Sequence, residues 1–371
     1  MQVLMNVSSL GVESGVELQA FQMTRELALR GYRIDLLFNQ DGELGPEWRS
    51  FCHSASQVPT FRFSRKRAVR DVIRLAPAVR AAVHARPDVV YVNSEDCLPF
   101  ALCSGLIARA SVVCHLHKTF PRPSFPRLAA RVHRLVAVSE FLRDEYIEVG
   151  VAPSKMVVVH NGIDVEDYPP ATEVQRAAAR QKLGLPADAF VTLHLGRLEP
   201  EKGTEVLLKA WRHLALPLDH ARLLIVGSPT VSPDPDARLQ ELEALAPPGC
   251  HWLPMQRDVV TPLHAADVLA VPSTWHEPFG RVVVEGLAAG LPVVASRVGG
   301  IPEILDGDLA PFLFEPGSHV ELADLLASLV DWRKDRPDLG QRCSAHAAER
   351  FGIGQMVDGI ERVLEDAVAK G

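Results

Sequence analysis

The stretch VLAVPSTWHEPFGRVVVEGLAAGLPVVA, residues 268–295, decides the fold. Val268–Val271 is a short apolar run of strand length. A turn-rich loop from Pro272 to Gly280 follows, and from about Arg281 the pattern is helical. Pro292–Ala295 is apolar again. Strand, loop, helix and strand in that order make a βαβ unit, which needs a parallel sheet.

The same alternation runs outward in both directions. In the second half, Phe190–Leu195, Leu223–Val226 and His251–Leu253 read as further strands, with Phe312–Phe314 as a short sixth. In the first half the strands are Val3–Val7, Arg33–Phe38, Val89–Asn93, Ser111–His117 and Leu135–Val138. Val16–Leu29 is a helix that Gly31 stops. Between the halves, Asp164–Val174 is rich in proline and acid and contains Pro169-Pro170. At 371 residues the chain suits two doubly wound parallel-sheet domains of ordinary size. Such sheets bind ligands at the carboxyl ends of their strands, so the chemistry is expected in a cleft between the domains. Near the end of the chain, Val357, Ile360, Val363, Leu364 and Val368 share one face of an amphipathic helix.

Composition excludes several classes. With 47% hydrophobic and 23% charged residues the chain is globular, and no apolar stretch is long and uncharged enough to span a membrane. No secretory signal is expected, because the N-terminus lacks a basic n-region and a cleavage site. Cys52, Cys97, Cys103, Cys114, Cys250 and Cys343 form no C-x-x-C pair and fit buried thiols in a reducing cytosol. Residues 1–170 hold 20 Lys and Arg against 18 Asp and Glu, whereas the remainder holds 19 against 28. That acidic second half argues against nucleic acid as a partner. One local exception is the run Arg62 to Arg86, with eight basic residues and one acid, Asp71. Val69, Val72, Ile73, Ala76, Val79 and Val83 give it an apolar side. A weak peripheral membrane contact through Arg62–Arg74 is one reading, and a core-packed helix with a solvated basic face is the other.

The loop before Arg281 carries the chemistry. Gly280 precedes a helix start whose backbone N–H groups have no intrahelical partner, and those groups with the helix dipole suit a diphosphate. Glu277 in the loop and Glu285 one turn into the helix are carboxylates suited to sugar and ribose hydroxyls. A capped helix with two solvated acids explains the spacing equally well. The loop Gly196-Arg197-Leu198-Glu199-Pro200-Glu201-Lys202-Gly203 adds two cations. It leaves the carboxyl end of another strand of the same sheet, so Arg197 and Lys202 suit the same diphosphate.

Together these stretches resemble the retaining glycosyltransferases of family 4, on the GT-B fold. The matching motifs are G-R-L-x-x-x-K-G at Gly196–Gly203 and E-P-F-G-x-x-x-x-E at Glu277–Glu285. A-x-G-x-P-V-V-A-S at Ala288–Ser296 and G-G-x-P-E at Gly299–Glu303 follow. V-x-N-G-I-D lies at Val159–Asp164, and Val138-Ser139-Glu140 is a further match. The resemblance covers essentially the whole chain and is strongest in its second half. It implies a Rossmann-like acceptor-binding domain over residues 1–165 and a Rossmann-like sugar-nucleotide-binding domain over 166–350, with a helix in 351–371 crossing back onto the first.

The resemblance also implies residue roles. Arg197 and Lys202 contact the diphosphate, Glu285 the ribose and Glu277 the donor sugar, with the backbone of Phe279, Gly280, Arg281 and Val282 near sugar and phosphate. His117 stands near the transferred sugar, and His115 is read as one strand step off the required face. Ser14 and Gly15 stand where the family has a Gly-Gly pair, so Gly15 is the expected phosphate contact. Acceptor-side candidates are Asn93, Glu95, Lys118 and Ser139, with the segments Lys118–Arg122 and Ser124–Arg134. No cofactor or metal is expected: the pairs Asp234/Asp236 and Asp306/Asp308 sit in turns. The expected reaction moves a hexose, most readily from a UDP-hexose, to a hydroxyl of a small molecule or envelope lipid precursor, in the cytoplasm or at its membrane. A non-catalytic sugar-nucleotide-binding subunit and a GT-B epimerase or phosphorylase are the alternatives.

Overall fold

A computed structural model describes residues 1–11, 15–63, 65–119, 125–217 and 220–369. The chain divides into two compact units, Met1–Ile163 with Ile353–Gly371, and Asp164–Gly352.

Unit 1 is a seven-stranded sheet. Its strands are β1 (Gln2–Ser9), β2 (Arg33–Gln40), β3 (Ser54–Gln57), β4 (Val89–Val92), β5 (Ser111–Leu116), β6 (Arg134–Ala137) and β7 (Met156–Val158), in the order β3-β2-β1-β4-β5-β6-β7. All pairings are parallel. β4 is buried along its whole length, which is why it reads as an unbroken apolar run, and β5 is buried as completely although it carries Ser111 and His115. Two strands escape that reading. β3 is Ser-Ala-Ser-Gln at the sheet edge and mostly exposed, and β7 is a three-residue edge strand.

The helix Ile353–Ala369 completes the core of unit 1. Met356, Val357, Ile360, Val363, Leu364 and Ala367 are buried with Val3, Met5, Met23 and Leu27. Val368, expected on that face, is 41% exposed. A 3.6-residue period carries position 367, not 368, onto the stripe defined by 356, 360 and 363. Arg30 ties the helix on through Asp358 at 2.6 Å and Glu361 at 2.5 Å, and the Ser111 hydroxyl donates to the Ala367 carbonyl at 2.7 Å.

The basic helix Ala68–Ala85 also corrects the expectation. Its buried line is Leu75, Ala78 and Ala82, whereas Val69, Val72 and Ile73 are 78%, 57% and 68% exposed. Residues 71, 75, 78 and 82 are three and four positions apart and share a face, with 69 and 73 on the opposite side and 72 at its margin.

Unit 2 is a six-stranded sheet: β8 (Phe190–Leu195), β9 (Ala221–Val226), β10 (Cys250–Leu253), β11 (Val268–Val271), β12 (Val293–Ser296) and β13 (Leu313–Phe314), in the order β10-β9-β8-β11-β12-β13. All pairings are parallel. Strand order reverses between β8 and β11 here and between β1 and β4 in unit 1. Neighbouring crossover connections diverge at such a point and leave a crevice above the strand ends. In the two sequence motifs taken for turns, Asp234 caps the helix Pro235–Leu245, Asp306 pairs with Arg350, and Asp308 pairs with Arg342 at 2.8 Å.

One buried carboxylate pins unit 2 below its sheet. Asp267 accepts from Arg180 at 2.6 Å, Arg176 at 2.8 Å, Arg333 at 3.1 Å and the Val191 amide at 2.9 Å. Burial raises its carboxyl pKa, but the arginines outweigh that and hold it below the ordinary range. Removing the carboxylate strands a buried Arg180. Asp267→Ala is therefore expected to destabilise the protein by about 3 kcal/mol or more, the scale for breaking a buried ion pair from one side. Urea unfolding followed by tryptophan fluorescence checks it, and an unchanged midpoint would refute the assigned weight of this cluster.

Candidate functional site

In unit 2 the loops leaving β8 and β11 are stitched together by backbone. Gly203 has φ +71°, and a Cβ there would meet the Pro272 carbonyl oxygen at 1.8 Å. The Thr274 amide donates to the Glu201 carbonyl at 2.9 Å. Glu199 anchors the first loop from below. It is buried and accepts from the Thr230 and Val231 amides at 2.6 and 2.7 Å and from the Ser232 hydroxyl at 2.6 Å. Burial pushes its carboxyl up, but the Ser232 and amide bonds hold it below the usual range.

This close approach brings Lys202 onto Glu277. Their side chains form an ion pair through Glu277 Oε1, which also accepts from the Ser273 hydroxyl at 2.9 Å. The Gly299-Gly300 turn supports Glu277 from beneath. A Cβ on Gly299 would meet the Glu277 carbonyl oxygen at 2.0 Å, and the Gly300 amide donates to that oxygen at 2.9 Å.

Gly280, with φ +106°, opens the helix Arg281–Ala288. Inside it Glu285 Oε1 accepts from Arg281 Nε at 2.8 Å and from the Tyr168 hydroxyl at 3.2 Å. Phe279 is buried, with its ring against Phe351, so its side chain is core and only its backbone is available to a ligand. Arg197 is 40% exposed and its nearest carboxylate is Glu201 at 3.7 Å. Unit 2 thus gathers Arg197, Lys202, Glu277, Glu285 and the 279–282 backbone around one end of its sheet. Ser273, Tyr168 and the Arg281 side chain were missed. The Arg281/Glu285 pair was readable as an i,i+4 pair on a helix, whereas Tyr168 lies 117 positions from Glu285 and gives no local signal.

Unit 1 holds a second constellation where β1, β4 and β5 end. A cavity of about 230 Å³ is lined there by Asn6, Val16, Glu17, Arg62, Asn93, Glu95, Cys97, His117 and Lys118, among others. His117 Nε2 lies 2.9 Å from Asn93 Oδ1. His115 and His117 are two residues apart, so they project from the same side of the chain, contrary to expectation. Their ring centres are 4.3 Å apart. His115 Nδ1 lies 2.8 Å from the Tyr91 hydroxyl. Lys118 Nζ sits 2.7 Å from Asp96 Oδ2 and 3.7 Å from Glu95 Oε1. Gly15 begins the helix Gly15–Leu29, whose next two residues line this cavity. Ser14 and Phe120–Ser124 lie outside the described residues. Ser139 does not join the group. It is buried and its hydroxyl accepts the Leu142 amide at 3.0 Å, capping the helix Glu140–Glu148.

Both halves of the chain match family models. "Glycosyl transferases group 1" matches residues 175–346, and "Glycosyltransferase Family 4" matches residues 14–167. The chain belongs to the family 4 glycosyltransferases. Among curated glycosyltransferases of this kind, the D-inositol 3-phosphate glycosyltransferase of Saccharomonospora viridis is 35% identical over 253 residues, covering 66% of this chain and 58% of that protein. The enzyme of the same name from Streptomyces bingchenggensis is 36% identical over 261 residues, covering 65% and 54%. The chain spans little more than half the length of these relatives. Anabaena HepE, solved in complex with UDP and glucose, superposes with TM-score 0.83 at 25% identity, covering 98% of this chain and 99% of its own. A glycosyltransferase of Rickettsia africae superposes with TM-score 0.87 at 18% identity, covering 100% and 99%. The architecture is the GT-B fold of such glycosyltransferases.

The buried imidazoles give the chain a pH signature. Burial, then Lys118, lowers the His117 pKa to about 3. Burial, with Lys202 adding, takes His194 to about 4, although its bond to the Ala270 carbonyl opposes the shift. Burial and then His117 push His115 well below its ordinary value. The folded chain resists protonation at all three, whereas the unfolded chain accepts it near the ordinary value of 6.5. Their contribution to stability is full above that value and is lost as pH falls through the window toward 4 and 3. The melting temperature is expected to fall steadily from about pH 7 to about pH 5, and less steeply in His117→Gln. Equal slopes in the two proteins would remove His117 from this account.

Proposed function

We propose that this chain is a retaining, metal-independent hexosyltransferase that uses a UDP-hexose and a hydroxyl acceptor. The observation that carries the reading is the Lys202–Glu277 ion pair set beside the Gly280-opened helix start. A hydroxyl-binding carboxylate and a phosphate-binding ammonium are held in contact, as a sugar joined to a diphosphate requires. When the donor binds, Lys202 turns its charge to the diphosphate and Glu277 accepts from the sugar hydroxyls. Arg197 adds a second cation, and the positive end of the helix adds its dipole. Glu285, fixed by Arg281 and Tyr168, takes the ribose. UDP in the Anabaena complex is consistent with this donor.

The dominant catalytic effect is then electrostatic. Two cations and the helix start stabilise the leaving diphosphate without a metal. Glu277 is occupied with hydroxyls and is not assigned as a nucleophile. The leaving phosphate oxygen takes the acceptor proton on the face it departs from, which preserves the anomeric configuration. Unit 1 is read as the acceptor-binding domain, with neutral His117 as a hydrogen-bonding group for the transferred sugar and Gly15 as a donor-phosphate contact.

A thermal-shift panel of nucleotide sugars identifies the donor, since stabilisation grows with ligand concentration over Kd. With that donor, Lys202→Ala and Glu277→Gln are each expected to lower turnover roughly 100-fold or more, the scale of one preorganised charge contact. EDTA is expected to leave turnover unchanged. Near-normal turnover in both variants would reject the site, and loss with EDTA would reject metal independence.

The exposure of Val69, Val72 and Ile73 among basic residues supports peripheral membrane contact as an added property. Pelleting with anionic vesicles at low salt is expected for the wild type and is expected to be reduced when Arg65, Lys66 and Arg67 become Ser. Absence of pelleting by the wild type would end this reading.

A further inference from the structure

Where β8 and β11 part, the link between them passes to a side chain. The two strands pair at Thr192 with Val268 and at Leu193 with Leu269, and the register then brings His194 opposite Ala270. There the His194 imidazole reaches across. Its Nδ1 lies 3.2 Å from the Ala270 carbonyl oxygen, and its Nε2 lies 3.2 Å from the Thr204 hydroxyl. A carbonyl can only accept, so Nδ1 carries the ring proton and Nε2 accepts from Thr204. Burial keeps the ring neutral, which preserves that acceptor, and the Lys202 ammonium is near enough to add to the effect. His194 is 3% exposed and Thr204 is fully buried, so neither bond faces bulk solvent.

Thr204 begins the helix Thr204–Leu214 and lies two residues after Lys202. Lys202 ends the turn Pro200–Lys202, whose other end is held through buried Glu199. The backbone of Lys202 is thus fastened on both sides, to the Thr230 loop by Glu199 and to β11 by Thr204 through His194. A long side chain delivers its charge accurately only when its backbone is fixed. We propose that His194 is a positioning residue: it locks the start of this helix to β11 and so sets where the Lys202 ammonium meets the donor diphosphate. This rests on the reading of Lys202 as a diphosphate contact. With both ring nitrogens engaged, His194 takes no part in proton transfer.

Calorimetric titration of the full chain with UDP tests it. Thr204→Val removes only the hydroxyl and keeps the side-chain shape, whereas His194→Phe removes both bonds. Each is expected to weaken UDP about 5-fold or more, the scale of one buried hydrogen bond. Thr204→Ser, which keeps the donor, is expected to stay within about 2-fold of the wild type. Repeating Thr204→Val in Lys202→Ala separates positioning from general packing. There it is expected to change UDP affinity by less than about 2-fold, because the contact it serves is already gone. Unchanged affinity in Thr204→Val, an equal loss in Thr204→Ser, or the same loss with and without Lys202 overturns the proposal. Melting temperatures without ligand show whether each variant is folded, and if His194→Phe is not, the Thr204 variants decide alone. A wild type that does not bind UDP, or binds it no better than Lys202→Ala does, overturns the donor reading and this inference with it.

Discussion

The close backbone contact between the loops leaving β8 and β11 is the constraint on which the unit 2 site depends. Gly203 lies where any side chain would collide with the Pro272 carbonyl. That contact brings a lysine from one loop onto a glutamate from the other, two groups 75 positions apart in sequence. The same device recurs at Gly299, which lies against the Glu277 backbone. Glycine serves here less for flexibility than for the absence of a Cβ, which lets three separate stretches of backbone meet. The charges above can then be held in place by main chain rather than by long mobile side chains.

The two halves of the molecule gather charged side chains with the same topology. Each sheet reverses its strand order beside its first strand, between β1 and β4 and between β8 and β11, and each gathers polar residues there. In unit 2 the cations Arg197 and Lys202 and a helix start face that crevice. In unit 1 Lys118 is paired with Asp96 and Glu95, as Lys202 is with Glu277, and the imidazole of His117 is kept neutral by burial.

Much of this was legible in the sequence, for a physical reason. A strand buried on both faces is mostly apolar, so β1, β4, β5, β8 and β11 announce themselves despite buried polar residues such as Asn6, His115 and His194. β3 and β7 do not, because an edge strand needs no such composition. The motif residues of unit 2 were readable because their loops are continuous in sequence. Tyr168 was not, since only the folded chain brings it to Glu285. Ser139 fits a functional motif yet is used as a helix cap. His115 was misplaced through the two-residue period of a strand, and Val368 through the 3.6-residue period of a helix. In both cases the error was one of phase rather than of element.

The helix Ile353–Ala369 belongs to the core of unit 1, although unit 2 lies between it and the rest of that unit in the chain. During synthesis from the N-terminus, unit 2 therefore has its whole sequence outside the ribosome before unit 1 does. Met5, Met23 and Leu27 remain without their final covering until the last helix emerges, and the 189 residues of unit 2 separate that helix from the rest of its unit. Closing unit 1 then means joining segments separated by an already compact insert, and the loop-closure penalty is smaller than for a disordered loop of that length. Unit 1 is thus complete only once the two segments that flank unit 2 in the chain have joined.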